Sequence, residues 1–443
     1  MRSARSIRGR QARSRRGCGG RCRCASVSCT NRFTQVHPRL SFGRHTLTEE
    51  MPRMPTSDYI VIGAGIAGAS AAWRLAQRGA HVTVLERTTP ANAAGSSHGS
   101  ARIFRYAYAQ PLYAGLVVRA KTGWDELERL SGTPLISPTG AVDFGADRRP
   151  QDLAHVLDTV GVEHELLDAG AAQERWPQFN FDSDVLWQPG AGVLDAETTV
   201  QTMLALAQAT GFAEVRTNWN VASVRRIGSA GFEVRSVTGE TVTGKKVIVA
   251  AGGWLPHLLR DLALPEAFVR SFPALEVRQE QAFHMPWRDT DDAGQPYPSW
   301  PTFIHNRAGV DVYGLPGGRD AGHRGQKFAR FNGGKVLPSA LDQDGEILPE
   351  MRDWIIGYAR EFLPGLVPEP YAETTCLFTN TPSEDFVIDE ADGVIVVSAC
   401  SGHGAKFAPV LGELGADLAT GAGAVPAEFR VAAHAGSRPR GSA

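Results

Sequence analysis

Four successive apolar residues, Tyr59-Ile-Val-Ile62, open the patterned part of the chain, and a run of that length bounded by glycine reads as a strand buried on both faces. Gly63-Ala-Gly65-Ile-Ala-Gly68 follows at once. Ala69-Ser-Ala-Ala-Trp-Arg-Leu-Ala-Gln77 then reads as a helix whose small side chains let it pack closely on a sheet, and His81-Val-Thr-Val-Leu85 predicts a second strand ending at Glu86. The apolar signal returns twice. Lys246-Val-Ile-Val-Ala-Ala251 runs into Gly252-Gly253-Trp254, and Gly393-Val-Ile-Val-Val-Ser398 leads to Gly402-His403-Gly404 and a helix from Ala408 to Leu418. Both returns predict re-entry into the first sheet, so one domain is expected to be discontinuous over residues 55–140, 185–270 and 380–430. Alternating or mixed stretches, Gly140–Gly145 and Ala308–Gly314, predict antiparallel strands of a second domain over 141–184 and 271–379. No internal repeat interrupts this α/β pattern.

Length and charge alter the picture mainly at the ends. At 443 residues the chain exceeds one typical single-core domain. A formal net charge of −1 with 21% charged residues argues against a chain built to grip nucleic acid or an anionic membrane. Residues 1–50 nevertheless hold twelve Arg and no Lys, with Glu49 and Glu50 as the only acids. Residues 1–54 are therefore read as a basic, disordered extension, without the apolar run of a signal peptide. Translation upstream of the true start is the favoured account, since Met51 and Met54 lie just before the first strand. A transit peptide and a native basic tail stay open. Cys18, Cys22, Cys24 and Cys29 have spacings that fit no zinc pattern, so no metal is expected. The body keeps only Cys376 and Cys400, which predicts a reducing compartment, by default the cytoplasm. No run approaches the about 20 apolar residues of a spanning helix, and residues 431–443 read as a loose tail.

The glycine turn carries the first chemistry. Between strand and helix, Gly63 permits the tight turn, Gly65 lets backbone approach a pyrophosphate, and Gly68 brings helix and strand together. Glu86, at the end of the second strand, suits ribose hydroxyls and repels a 2′-phosphate, which favours FAD or NAD over NADP.

Three further blocks extend the signal: Ser97-His98-Gly-Ser-Ala-Arg102-Ile-Phe-Arg105-Tyr106-Ala-Tyr108; Thr375-Cys376-Leu-Phe378-Thr379 followed by Asp385-Phe-Val-Ile-Asp389; and Ser401-Gly402-His403-Gly404-Ala-Lys406-Phe407. From about Asp58 to about Phe429 the chain resembles the monomeric sarcosine oxidase and N-methyltryptophan oxidase family of FAD-dependent amine oxidases. The resemblance implies an FAD-binding Rossmann-like domain interleaved with an antiparallel-sheet substrate domain. It implies FAD held by Gly63, Gly65, Gly68, Glu86, Gly402, His403 and Gly404 and joined covalently to Cys376. Arg102 and His98 would stand beside the flavin, Arg105, Lys406 and Tyr313 would bind substrate, and Lys327 would activate oxygen. The implied reaction oxidises a C–N bond of a small secondary, N-methyl or cyclic amino acid to an imine, then an aldehyde or keto product, with hydrogen peroxide. A monomer acting on a small amino acid and oxygen, with no nucleic acid or membrane partner, completes the expectation.

Each assignment has a plainer rival. Cys376 alone would read as a buried apolar cysteine, Arg102 and Arg105 as a solvated face, Lys406 as a cap, and His98 and His403 as structural histidines. Against this, a small amino acid needs its carboxylate anchored, which the planar fork of Arg and the compact charge of Lys provide. The chain also departs from the sarcosine oxidase pattern. Phe331 and Phe378 stand where an active-site histidine and a tyrosine are expected, Tyr106 replaces a histidine, and the Gly314–Gln326 loop is longer, leaving Arg324 as the alternative to Lys327. A glycine or D-amino acid oxidase, or a flavin dehydrogenase with another electron acceptor, is the competing activity.

Overall fold

The computed structural model describes residues 57–435 except 230, 292, 297 and 298. The expectations for residues 1–54, their four cysteines and positions 436–443 lie outside the described residues. The first apolar run forms the strand Ser57–Ile62, at the centre of a sheet whose parallel neighbours are Val82–Leu85 and Thr241–Val249. Ala213–Arg216 extends it beyond Val82–Leu85, and Val394–Ser398 pairs in parallel with Val247–Val249. The early half of Thr241–Val249 pairs instead with Gly231–Ser236, so this one strand serves both the parallel core and an antiparallel flap. Ile60, Val61, Val247, Ile248, Val394 and Ile395 are completely buried, as continuous apolar runs of a parallel sheet should be.

Helices Ile66–Gln77 and Ala408–Thr420 pack against each other over this sheet, and small residues permit it. A Cβ on Gly412 would stand 2.1 Å from Ser70 Oγ and 2.4 Å from Ser70 carbonyl carbon. That approach is closed to any larger residue.

The second sheet runs, in spatial order, through Lys335–Leu337, Glu276–Pro286, Gly325–Arg330, Val310–Pro316, Thr302–Arg307, Ala141–Phe144, Val185–Gln188 and Glu165–Leu167, with Ala372–Asn380 also on Glu276–Pro286. Its pairings are antiparallel except Ala141–Phe144 with Thr302–Arg307, where two distant passages of the chain meet in parallel. Helix Pro349–Phe362 covers it over Phe144, Phe283, Phe303 and Phe328, all with no measurable exposure. No helix among the described residues is long and apolar enough to cross a membrane.

Two boundaries differ from expectation. Val185–Gln188 joins the second sheet rather than the first, because its register partners are Ala141–Phe144 and Glu165–Leu167. The return to the first layer begins only with the helix Ala196–Ala209 and the strand Ala213–Arg216. The tail is not loose at its start: Val431–His434 forms a short turn, Asp389 accepts from Val431 N–H at 2.9 Å and Arg430 at 2.7 Å, and buried His434 meets the Phe386 carbonyl at 3.1 Å.

Candidate active site

Two cavities meet among residues of both sheets. The first, about 210 Å³, extends from the glycine turn past Glu86 and Trp254 to Cys376 and Gly404. Gly63 has φ +97°, and a Cβ there would lie 2.5 Å from the Ala250 carbonyl oxygen. A Cβ on Gly68 would lie 1.9 Å from the Gly63 carbonyl oxygen, so the helix presses on the turn itself. Gly65 caps the N-terminus of the following helix, where Ile66 N–H meets Ser97 Oγ at 3.0 Å. Glu86 accepts from Ala64 N–H at 2.8 Å and Thr88 N–H at 3.0 Å, bracing the turn while still lining the cavity. Helix-start amides, absent side chains and a carboxylate at the second strand's end fit a pyrophosphate-linked dinucleotide.

The second cavity, about 360 Å³, shares Arg102, Cys376, Phe378, Gly402 and Ala405 with the first, so these residues mark the junction. Arg102 is spent on structure there: its guanidinium donates to the carbonyls of Ser96, His98 and Ala101 at 2.8–2.9 Å and so shapes the loop. His98 Nε2 is buried without a partner. Burial, then the charges of Arg102 and Lys327, lower its pKa to about 4, so the imidazole is neutral. Lys327, on the strand Gly325–Arg330, is buried at 7% exposure, and burial followed by Arg102 lowers its pKa to about 8. Its neighbours in sequence go elsewhere: Arg324 is exposed and stacks on Tyr371 at 4.6 Å, Arg330 stacks on Trp354 at 4.8 Å, and Arg319 pairs with Asp195 at 3.2 Å. Cys376 stands opposite Glu280 in register. Burial raises its thiol pKa while Arg102 and Lys327 pull it down.

Farther along the second cavity the remaining cations gather. Lys406 donates to Tyr108 Oη at 3.1 Å and to the His403 carbonyl at 2.8 Å, and burial, then Arg105 and Arg148, hold its pKa well below the usual lysine range. Since His403 Nε2 donates to the Glu384 carbonyl at 3.0 Å, its Nδ1 is left to accept from Tyr108 at 3.2 Å. Arg105 donates to the Ala107 carbonyl and lies over the Tyr108 ring at 4.5 Å. Tyr313, on Val310–Pro316, lines the same space. Of the residues expected to hold FAD or substrate or to activate oxygen, Gly68 alone lines neither cavity.

Arg148 escaped the sequence reading. It lines the second cavity, donates to the Ala107 carbonyl at 3.1 Å, and is held by fully buried Asp143 at 2.6 Å. Asp143 also accepts from Gln188 at 2.6 Å, and Gln188 takes the N–H groups of Tyr106 and Ala107 at 2.8 and 2.9 Å. This network fixes the segment that carries Arg105 and Tyr108. The available signal was an aspartate inside an apolar strand, since a charge there requires a partner. Of the departures from the family pattern, Phe331 and Phe378 wall the second cavity against Gly402, where a Cβ would come within 2.7 and 2.6 Å of their rings. Tyr106 lines neither cavity and packs edge-on to Phe104.

Residues 58–418 match the protein family described as FAD dependent oxidoreductase. An N-methyl-L-tryptophan oxidase of Shigella boydii serotype 18 is 32% identical over 374 residues, covering 82% of this chain and 94% of the relative. The enzyme of that name from Escherichia coli strain SE11 matches with the same identity and coverage. NikD, an unusual amino acid oxidase essential for nikkomycin biosynthesis, has a similar open-form structure, with TM-score 0.72 at 23% identity over 87% of this chain and 98% of NikD. The L-proline dehydrogenase of P. horikoshii gives 0.71 at 19% identity, over 87% and 100%. At such identities these two structures speak for the fold.

Proposed function

The chain belongs to the FAD dependent oxidoreductase family and is an amine-oxidase-type flavoenzyme, and from that premise we propose that it oxidises a C–N bond of a small secondary, N-methyl or cyclic amino acid. The observation that carries this reading is the meeting of a dinucleotide cavity with a cation-lined one at Cys376 and Arg102. The turn Gly63–Gly68, Glu86 and the Gly402–Gly404 segment hold FAD, with Cys376 as its covalent attachment. Held there, FAD would supply the two-electron acceptor for the hydride leaving the carbon next to nitrogen, with oxygen as the final acceptor and hydrogen peroxide as the product. Arg105 and Lys406 anchor the substrate carboxylate, while Tyr313 and the apolar faces of Phe331 and Phe378 confine the rest. Water hydrolyses the released imine to the aldehyde or keto product. The guanidinium charges of Arg105 and Arg148 along the same cavity disfavour a further positive charge there, which favours the amine's unprotonated, reactive form.

The direct test is oxygen uptake and peroxide release with a panel of N-methyl and cyclic amino acids. Flavin reduction without oxygen uptake would identify another electron acceptor. Failure of every amino acid to reduce the flavin would end the proposal. Arg105→Met should weaken binding of an unreactive carboxylate by about 1.5 to 3 kcal/mol, roughly ten- to hundredfold, with flavin retained. Titration of the flavin spectrum measures it, and unchanged affinity would remove Arg105 from the carboxylate site.

A further inference from the structure

Two polar groups of the second cavity have no task in this reaction. On the paired strands Thr302–Arg307 and Val310–Pro316, Ile304 stands opposite Tyr313 and Asn306 opposite Asp311, and all four line the cavity. They form one stripe along its wall. Asn306 Oδ1 is buried without a hydrogen-bond partner. The Asp311 carboxylate makes no hydrogen bond or ion pair among the described residues. Two acceptors left open side by side are costly unless something donates to them, and a ligand's donor is one partner that would do so.

The stripe has a direction. Burial raises the Asp311 carboxyl to about 6, and the charges that oppose the rise belong to Arg148, Arg330 and Arg105. Lys327 and Cys376, at the junction, respond instead to Arg102, Asp320 and Glu280. Tyr313 feels both Cys376 and Asp311 and so stands between the ends. Asn306 and Asp311 therefore lie beyond Tyr313, where the side chain of a carboxylate-anchored amino acid would reach.

We propose that Asn306 and Asp311 form a side-chain subsite that selects amino acids ending in an uncharged hydrogen-bond donor, a carboxamide above all, over hydrocarbon side chains of equal size. The subsite rests on the reading of the second cavity as the amino acid site. A cationic side chain is disfavoured by Arg105, Arg148 and Arg330. A carboxylate brings no donor and meets the charge of Asp311. A carboxamide N–H satisfies both acceptors without adding charge, and a site built to hydrogen-bond discriminates strongly against the analogue that cannot.

The test uses two unreactive acids of the same shape, 4-carbamoylbutanoate and 5-methylhexanoate, titrated into the flavin-loaded protein and read by the change in visible absorption. Binding is thus measured apart from turnover. The carbamoyl acid should bind ~10-fold more tightly, the worth of one good hydrogen bond. Asp311→Leu and Asn306→Leu should each remove the preference, whereas Asp311→Asn, which keeps an acceptor, should retain most of it. Either leucine variant suffices if the other fails to hold flavin. Equal binding of the two acids, tighter binding of the hydrocarbon, or a preference that survives both leucine variants would overturn the subsite alone. If neither acid perturbs the flavin, the cavity takes no carboxylate, and the subsite falls together with the reading beneath it.

Discussion

Lys327→Met should leave reduction of the flavin by substrate within a modest factor of the parent and slow its reoxidation by oxygen roughly 10²–10³-fold, the loss typical of removing one preorganised charge from a site where negative charge develops. The expectation starts from electrostatics. The first electron to reach oxygen makes superoxide, and a fixed cation in a water-poor cavity stabilises that charge without reorganising. Lys327 has the burial and the position for this role, while Arg319, Arg324 and Arg330 are committed to acids or aromatic faces. Burial, then Arg102, lowers its pKa to about 8, so it is charged below that pH and neutral above it. The oxygen half-reaction should therefore be fast below about pH 8 and decline as pH rises through it, and Lys327→Arg should move the decline out of the accessible range. Rapid-mixing kinetics of the separate half-reactions decide the matter. Equal slowing of both would assign the lysine to substrate or structure, and no slowing of either would remove it from oxygen chemistry.

What was legible in the sequence was whatever depends on neighbours along the chain. The glycine turn needed only the strand Ser57–Ile62 before it and the helix Ile66–Gln77 after it, and the positive φ of Gly63 and the press of Gly68 on the Gly63 carbonyl are local, although the Ala250 carbonyl that also crowds Gly63 is not. The strand around Lys327 was legible from Phe328 beside it: residues 325–329 are all buried, while Arg324 just before them is exposed. Arg148 was not legible, because an arginine three residues past a glycine looks solvated until the fold supplies Asp143 and the Ala107 carbonyl. Val185–Gln188 was misplaced for the same cause. A short apolar strand does not reveal which sheet it will join, and here the partners come from both sides in the second sheet. The tail from residue 431 likewise looked loose because its anchor, Asp389, is remote in sequence.

Cys376→Ser should move the yellow colour from the pellet to the supernatant after acid precipitation, because Cys376 is expected to hold FAD through a thioether that survives denaturation. Two thiols line the dinucleotide cavity, Cys376 and Cys400, so position alone does not choose between them. Their surroundings do. Formation of a thioether needs the thiolate, and burial opposes it at both positions. At Cys376 the charges of Arg102 and Lys327 work against that penalty. At Cys400 no cation does so: burial raises the thiol to about 11, and only the nearby polar groups of Thr379 and the Ala399 backbone ease it. Cys376 also borders both cavities, where the redox-active ring of a dinucleotide must reach to meet the substrate, whereas Cys400 borders only the first. Cys400→Ser should accordingly keep its colour in the pellet and serve as the control for general damage to the cavity. Retention of colour by Cys376→Ser with its loss from Cys400→Ser would transfer the attachment to Cys400. Flavin washing out of the unaltered protein would show that neither thiol is joined to it, and that Cys376 only walls the junction.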